Sequence, residues 1–167
     1  MASPPTVIGE ILTELTHVNR AAVSKKHRES LRELRAREVR VKIDSPADVI
    51  AARQLARALA AEAGFSSCDS TLITTAVSEM TRNILEYATR GEVAISLLKK
   101  GKMCGVQIIA SDQGPGIADI AQVMLDGYSS RKGMGIGLPG TKRLMDEFDI
   151  RSTVGSGTTV TMKKWNQ

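Results

Sequence analysis

The stretch CGVQIIASDQGPG, residues 104–116, runs from an apolar segment directly into an aspartate and two glycines. This pattern predicts a strand that ends at Asp112. An aspartate at a strand end can accept a hydrogen bond from an exocyclic amine such as adenine N6. Gly114 and Gly116 carry no Cβ, so the backbone of the loop can approach a flat ring closely. An ordinary Asp–Gly turn is the alternative interpretation of this stretch by itself.

A second segment, SEMTRN at residues 78–83, falls within a helical pattern. Glu79 and Asn83 are four residues apart, so both side chains project from the same helix face. A carboxylate and an amide oxygen in this arrangement could hold Mg²⁺ through oxygen atoms and water, or direct an attacking hydroxyl. Such pairs also occur on solvated helix faces, and Arg82 with Glu86 is expected to form a solvated ion pair there.

A third segment, RKGMGIGL at residues 131–138, places alternating glycines immediately before a predicted helix. The glycines are Gly133, Gly135 and Gly137. Their backbone N–H groups can point at an anion, and the helix N-terminus that begins near Leu138 adds the positive end of its dipole. Arg131 and Lys132 could supply mobile positive charge to a triphosphate. Flexible loops are often rich in glycine as well, so the segment is informative only in combination with others.

The chain divides into a helical first half and a strand-rich second half, since eleven of the fourteen glycines fall at or after Gly101. Helices are predicted over residues 46–63, 67–89 and 138–147. Strands are predicted over residues 39–43, 93–98, 104–111, 150–154 and 158–162, with the last two closing a hairpin around 155–157. This order predicts an α+β fold, a two-layer sandwich in which a mixed, mostly antiparallel sheet carries helices on one face.

The N-terminal segment differs from the rest of the chain in charge and pattern. Residues 1–42 hold nine Lys and Arg against five Asp and Glu, whereas residues 43–167 hold fourteen against thirteen. We therefore predict a basic, amphipathic helical extension over residues 1–37 and a single domain over residues 38–167. The apolar face of the extension would form a homodimer or partner-docking surface, or would pack on its own domain.

Composition excludes several classes of function. Aromatic residues make up 3% of the chain, too few for a binder that stacks single-stranded bases, and the nearly neutral main body lacks the basic stripe of a nucleic-acid-binding domain. No apolar run approaches the roughly 18 residues that a membrane span requires, and the N-terminus lacks the pattern of a secretion signal. Cys68 and Cys104 follow no metal or redox spacing. A cytoplasmic protein without membrane or direct nucleic-acid contacts is expected.

The order of these segments, with GSGT at residues 155–158 as a fourth, resembles the GHKL (Bergerat-fold) ATP-binding domain over about residues 38–165. The resemblance is strongest to the RsbT-type switch kinases of the stressosome, in the anti-sigma-factor kinase family. The stretches that carry it are IAARQL at 50–55, ITTAVSE at 73–79, DQGPGI at 112–117, GLPG at 137–140 and KRLMDEF at 142–148. One position departs from the pattern, because Tyr87 stands where many members have histidine.

This resemblance implies a protein serine/threonine kinase that uses ATP and Mg²⁺. Its substrates would be STAS-domain scaffold and antagonist proteins, and the released kinase would activate a PP2C-type phosphatase. Glu79 would act as base toward the substrate hydroxyl, Asn83 would ligate Mg²⁺, and Asp112 would hold adenine with the support of Thr158. The other residues implied to contact the nucleotide are Gly114, Gly116, Arg131, Lys132, Gly133, Gly135, Gly137 and Leu138.

Three alternatives share the same ATP-binding segments. The first is an anti-sigma factor that binds a sigma factor directly and phosphorylates an antagonist. The second is a nucleotide-tuned binding module without catalysis, which would keep its activity when Glu79 is replaced by glutamine. The third is a histidine-kinase catalytic domain, for which His17 and His27 are candidate phosphoacceptors, although neither is followed by an acidic residue.

Overall fold

Five strands and four helices make up the part of the chain that the computed structural model describes, residues 38–125 and 136–166. The strands are β1 (Val39–Ile43), β2 (Gly91–Lys100), β3 (Met103–Asp112), β4 (Glu147–Thr153) and β5 (Gly157–Asn166). The helices are α1 (Pro46–Glu62), α2 (Ser67–Asn83), α3 (Ile120–Val123) and α4 (Gly137–Leu144), with a π-helical turn over Ile84–Ala88 after α2. The predicted extension, residues 1–37, lies outside the described residues, and its assignment stays a prediction.

The described strands form one sheet in the order β1-β2-β3-β5-β4, and each neighbouring pair is antiparallel. The prediction of an α+β fold with a mostly antiparallel sheet is confirmed. Because β5 lies between β3 and β4, the end of β3 and the start of β5 come together at one edge of the sheet. Ser111 is opposite Thr159, and Ser152 is opposite Thr158. This edge carries two of the predicted site segments.

The core lies between α1, α2 and one face of the sheet. Strand alternation sends Val41 and Ile43 into the core, while Arg40 and Lys42 face solvent, as the period of two predicts. The largest fully buried core side chains come from four strands and from α2: Ile43, Ile73, Ile95, Ile108 and Met162. Complete burial of a side chain of this size contributes about 1.5–3 kcal/mol. No described helix is long and apolar enough to cross a membrane.

Helix α1 begins and ends where its sequence predicts. The Asp48 carboxylate accepts hydrogen bonds from the backbone N–H of Ser45 at 2.8 Å and of Asp44 at 3.0 Å, and Pro46 occupies the first helical position. Burial opposes ionisation of Asp48, but these bonds outweigh it and hold its pKa below the ordinary value of 3.8. Gly64 then leaves the helix at a φ of +81°, a conformation that favours glycine.

Two helix boundaries differ from the prediction. Helix α2 is capped by Ser66, whose hydroxyl accepts from the Asp69 N–H at 3.0 Å, and its α-helical part ends at Asn83 before the π-helical turn. Helix α4 ends at Leu144 and does not continue to Glu147. Glu147 begins β4 and pairs with Lys163 of β5, where its carboxylate accepts from the Lys163 ammonium at 2.6 Å and from the Trp165 indole N–H at 2.9 Å.

Candidate nucleotide-binding site

A cavity of about 390 Å³ lies between helices α2 and α4 and the inner face of the sheet, where β3 ends and β5 begins. Its volume is within the range of small-molecule sites, about 300–1,000 Å³. Seven of the residues predicted from sequence line it together: Glu79, Asn83, Asp112, Gly116, Gly137, Leu138 and Thr158. Arg131, Lys132, Gly133 and Gly135 lie outside the described residues, so their roles stay predictions.

The wall formed by α2 carries a buried carboxylate. Glu79 is only 6% exposed, and it accepts hydrogen bonds from the Arg82 guanidinium on its own helix and from the backbone N–H of Gly137, at 3.3 Å. The prediction that Arg82 pairs with Glu86 is wrong. Residues three apart on a helix are neighbours, so Arg82 can reach Glu79. An unpaired charge costs more free energy on the buried carboxylate of Glu79 than on the exposed carboxylate of Glu86. Glu79 therefore links α2 to the first residue of α4.

Asn83 is the last residue of α2, half-buried and one turn beyond Glu79 on the same face. The π-helical turn over Ile84–Ala88 follows it immediately, and such turns are frequent at functional sites. Tyr87, which stands in place of the histidine of many relatives, is 48% exposed and lines the cavity. The turn thus changes the helical register directly after the residue predicted to hold a metal.

The opposite end of the cavity is built around Asp112, at the end of β3. Its Oδ1 accepts from the backbone N–H of Gly114 at 2.8 Å and of Thr158 at 3.3 Å. Oδ2 accepts no hydrogen bond from any residue in the described ranges. Apolar residues from the sheet and the neighbouring loop complete this end: Ala110, Ile117 and Val160.

Glycines are required here because strands and loops approach each other closely. Gly116 has a φ of +73°, and a Cβ on it would lie 2.3 Å from the carbonyl oxygen of Thr153. A Cβ on Gly157 would lie 2.0 Å from the carbonyl oxygen of Asp112. Gly114 does not line the cavity, and its observed contact is the N–H that it donates to Asp112. Gly114 and Gly157 therefore pack against Asp112, whereas Gly116 lets the loop pass close to the end of β4.

Several cavity residues were not predicted from sequence. Arg143 on α4 lines the cavity, and so do Met80 and Ile84, whose helical spacing indicates only a buried face. Ser152 on β4 lies behind Thr158 and contacts it through its hydroxyl. Ser152 falls in a strand of alternating apolar and polar residues, where a serine gives no sequence signal for such a role. The described residues contain no group of three or more His, Cys, Asp and Glu side chains that could hold a metal ion.

Comparison with known proteins agrees with this geometry. The histidine kinase-like ATPase domain family matches residues 44–164. The serine/threonine-protein kinase RsbT of Bacillus subtilis (strain 168) is 50% identical over 125 residues, which cover 75% of this chain and 94% of that protein. The anti-sigma F factor of Thermoanaerobacter sp. (strain X514) is 32% identical over 99 residues, 56% of this chain and 68% of its own length.

A solved structure supports the fold independently. The RsbU and RsbW domains of Rv1364c from Mycobacterium tuberculosis superpose with a TM-score of 0.51 at 23% identity, covering 77% of this chain and 31% of that one. The cavity and the predicted site residues that line it agree with the family match, which covers most of the chain. The chain therefore belongs to the histidine kinase-like ATPase domain family and, within it, to the RsbT family of ATP-dependent serine/threonine-protein kinases.

Proposed function

We propose that this kinase transfers the γ-phosphate of ATP to a Ser or Thr hydroxyl of a STAS-domain scaffold or antagonist protein in the cytoplasm. Once released from that protein, it binds and activates a PP2C-type phosphatase. The observation that carries the proposal is that one cavity holds a buried carboxylate, Glu79, at one wall and a strand-end acceptor, Asp112, at the other. Relatedness to RsbT supports the choice of partners.

In this proposal the purine base lies at the sheet edge. Asp112 Oδ2 accepts a hydrogen bond from the exocyclic amine, and Ala110, Ile117 and Val160 contact the faces of the ring. The phosphates then extend toward the N-terminus of α4, where Gly137 and Leu138 line the cavity and the helix dipole favours negative charge. Arg131, Lys132, Gly133 and Gly135 precede this helix in sequence and are proposed to surround the phosphates.

Glu79 is proposed as the base of the transfer. Its carboxylate accepts the proton of the substrate hydroxyl while that oxygen bonds to the γ-phosphorus and the bond to ADP breaks. Arg82 and the Gly137 N–H fix the orientation of the carboxylate before the substrate arrives. Because Arg82 is half-exposed at the cavity, it also adds positive charge close to the transferred group. Alignment and neutralisation of charge account for most of the catalysis in such transfers.

Asn83 is proposed to hold Mg²⁺. Asn83 lines the cavity one helical turn from Glu79, and Mg²⁺ in phosphoryl-transfer sites is usually held by one or two side chains together with substrate phosphates and water. The lack of a larger acidic cluster among the described residues fits that mode of binding. When bound, the ion neutralises charge on the phosphates.

Replacement of Asn83 by alanine is expected to remove most of the Mg²⁺ dependence of ATP binding, because the proposed side-chain ligand of the ion is lost. Calorimetric titration of ATP with and without Mg²⁺ measures the difference between the two affinities. Asn166→Ala is the matched control, since the Asn166 amide bonds the Ala63 carbonyl at 3.0 Å, outside the cavity. An Asn83→Ala protein that responds to Mg²⁺ as the parent does contradicts the ligand assignment.

Deletion of residues 1–36 is expected to leave ATP affinity unchanged, because all four segments predicted to form the ATP site, residues 78–83, 112–116, 131–138 and 155–158, lie after it. The truncated and full-length proteins are compared by calorimetry, with circular dichroism as a check that the truncated protein is folded. If a folded truncation loses ATP binding, the extension contributes to the site and the proposed domain boundary is wrong.

The proposal is tested by incubating the kinase with labelled Mg·ATP and a STAS-domain protein from the same organism. Label on a Ser or Thr of that protein supports the proposal, and ATP binding without transfer contradicts it. Relatedness to anti-sigma F factors favours one alternative, direct binding of a sigma factor with phosphorylation of an antagonist. If a sigma factor co-purifies with the kinase and ATP strengthens this complex, that alternative is favoured over a phosphatase partner.

A further inference from the structure

Ser152 lies on β4, directly opposite Thr158 of β5, and is half-buried beside the cavity. Its hydroxyl makes three contacts. The backbone N–H of Ile117 donates to it at 2.8 Å, the carbonyl oxygen of Gly157 lies 3.0 Å away, and the Thr158 hydroxyl lies 2.8 Å away. Ile117 and Thr158 both line the cavity, so one side chain connects two of its walls.

The distribution of protons in this cluster follows from the chemistry of its members. A serine hydroxyl carries one proton and two lone pairs. The Ser152 hydroxyl donates this proton to the carbonyl oxygen of Gly157 at 3.0 Å. The Ile117 N–H donates to one lone pair of Ser152. Either hydroxyl could donate in the contact between Ser152 and Thr158, and with the Ser152 proton directed at Gly157 the donor is Thr158. In this arrangement each donor has an acceptor, as buried polar groups require.

The consequence appears on the cavity side of Thr158. Because its proton is directed at Ser152, the Thr158 oxygen presents only lone pairs to a ligand. The neighbouring Asp112 carboxylate also only accepts, and the Thr158 N–H holds it in place at 3.3 Å. The Asp112 carboxylate and the Thr158 hydroxyl therefore offer two hydrogen-bond acceptors to a ligand group that lies beside them. An amino group satisfies both acceptors, whereas a carbonyl oxygen directs its own lone pairs at them.

We propose that Ser152 is a positioning residue that keeps the Thr158 hydroxyl oriented as an acceptor and thereby selects 6-amino purine nucleotides over 6-oxo purine nucleotides. The inference rests on the proposed function, because it requires the purine base to lie at Asp112. It extends that function, since the selectivity comes from a residue behind the cavity that does not itself line it. Loss of Ser152 frees the Thr158 hydroxyl to turn and donate to a 6-oxo group.

The test compares ATP with inosine triphosphate, in which oxygen replaces the 6-amino group, by calorimetry on the full-length chain. The parent protein is expected to bind ATP more tightly. In Ser152→Ala the ratio of ATP affinity to inosine triphosphate affinity is expected to fall about tenfold, the effect of one hydrogen bond. Ser156→Ala is the matched control, because Ser156 is an exposed residue of the β4–β5 turn and lies outside the cavity lining. Its ratio is expected to equal that of the parent.

Thr158→Val provides a second route to the same result, because valine has a similar shape and no hydroxyl. The ratio is expected to fall by a similar factor in Thr158→Val, and the double variant is expected to show no further fall. The inference is overturned if folded Ser152→Ala keeps the parental ratio of ATP affinity to inosine triphosphate affinity. It is also overturned if the change weakens the binding of both nucleotides equally, or if the effects of the two substitutions add in the double variant. If the parent protein binds no ATP, the proposed function itself fails, which is a distinguishable outcome.

Discussion

Replacement of Glu79 by glutamine is expected to lower phosphoryl transfer by about 10²- to 10⁴-fold, the usual contribution of a general base. Glutamine has nearly the same shape as glutamate, and its carbonyl oxygen can still accept from the Gly137 N–H or from Arg82. Its amide has no basic site for the proton of the substrate hydroxyl. ATP binding and the fold should therefore be kept while transfer is lost, as expected for an interaction made only in the transition state.

Single-turnover transfer of labelled phosphate, with ATP affinity measured in parallel, separates the two effects. Glu92→Gln is a suitable control, because Glu92 also pairs with an arginine, Arg40, but lies on the exposed side of β1 and β2. Glu92→Gln should transfer phosphate at the parental rate. If Glu79→Gln retains transfer, the Glu79 carboxylate does not act as the base.

Much of the site could be predicted because its residues follow local rules. Glu79 and Asn83 share a face on any regular helix, and Asp112 is recognisable as the polar end of an apolar strand. The two final strands were predicted from their alternation and from the glycines between them. Each of these inferences needs only a short stretch of chain, and the structure places all of these residues around one cavity.

The remainder depends on contacts between distant segments, which local patterns do not contain. Ser152 becomes significant only when β4 is paired with β5 in the observed register and Ile117 reaches its hydroxyl. Gly157 must be glycine because the end of β3 crosses close to it. The π-helical turn over Ile84–Ala88 has the same apolar spacing as an ordinary helix, so its sequence predicted a continuous helix.

Replacement of Asp112 by asparagine is expected to weaken ATP binding by roughly 100-fold or more, since a site built to accept a hydrogen bond is then left with a donor. In the parent protein Oδ1 accepts from the N–H groups of Gly114 and Thr158. Asparagine can keep those two bonds only by directing its oxygen at them. Its NH₂ group then replaces Oδ2 and faces the exocyclic amine of the base, so two donors oppose each other.

The same geometry explains why the fold should survive this change. The two backbone bonds to position 112 are retained, and asparagine has nearly the size of aspartate, so the Gly114 loop and the start of β5 keep their anchor. Asp149→Asn serves as the control, because Asp149 is an exposed strand residue paired with Arg151 outside the cavity. Calorimetry with ATP and thermal unfolding together decide the outcome. An Asp112→Asn protein with parental ATP affinity would place the base elsewhere and remove the basis for adenine recognition at this edge of the sheet.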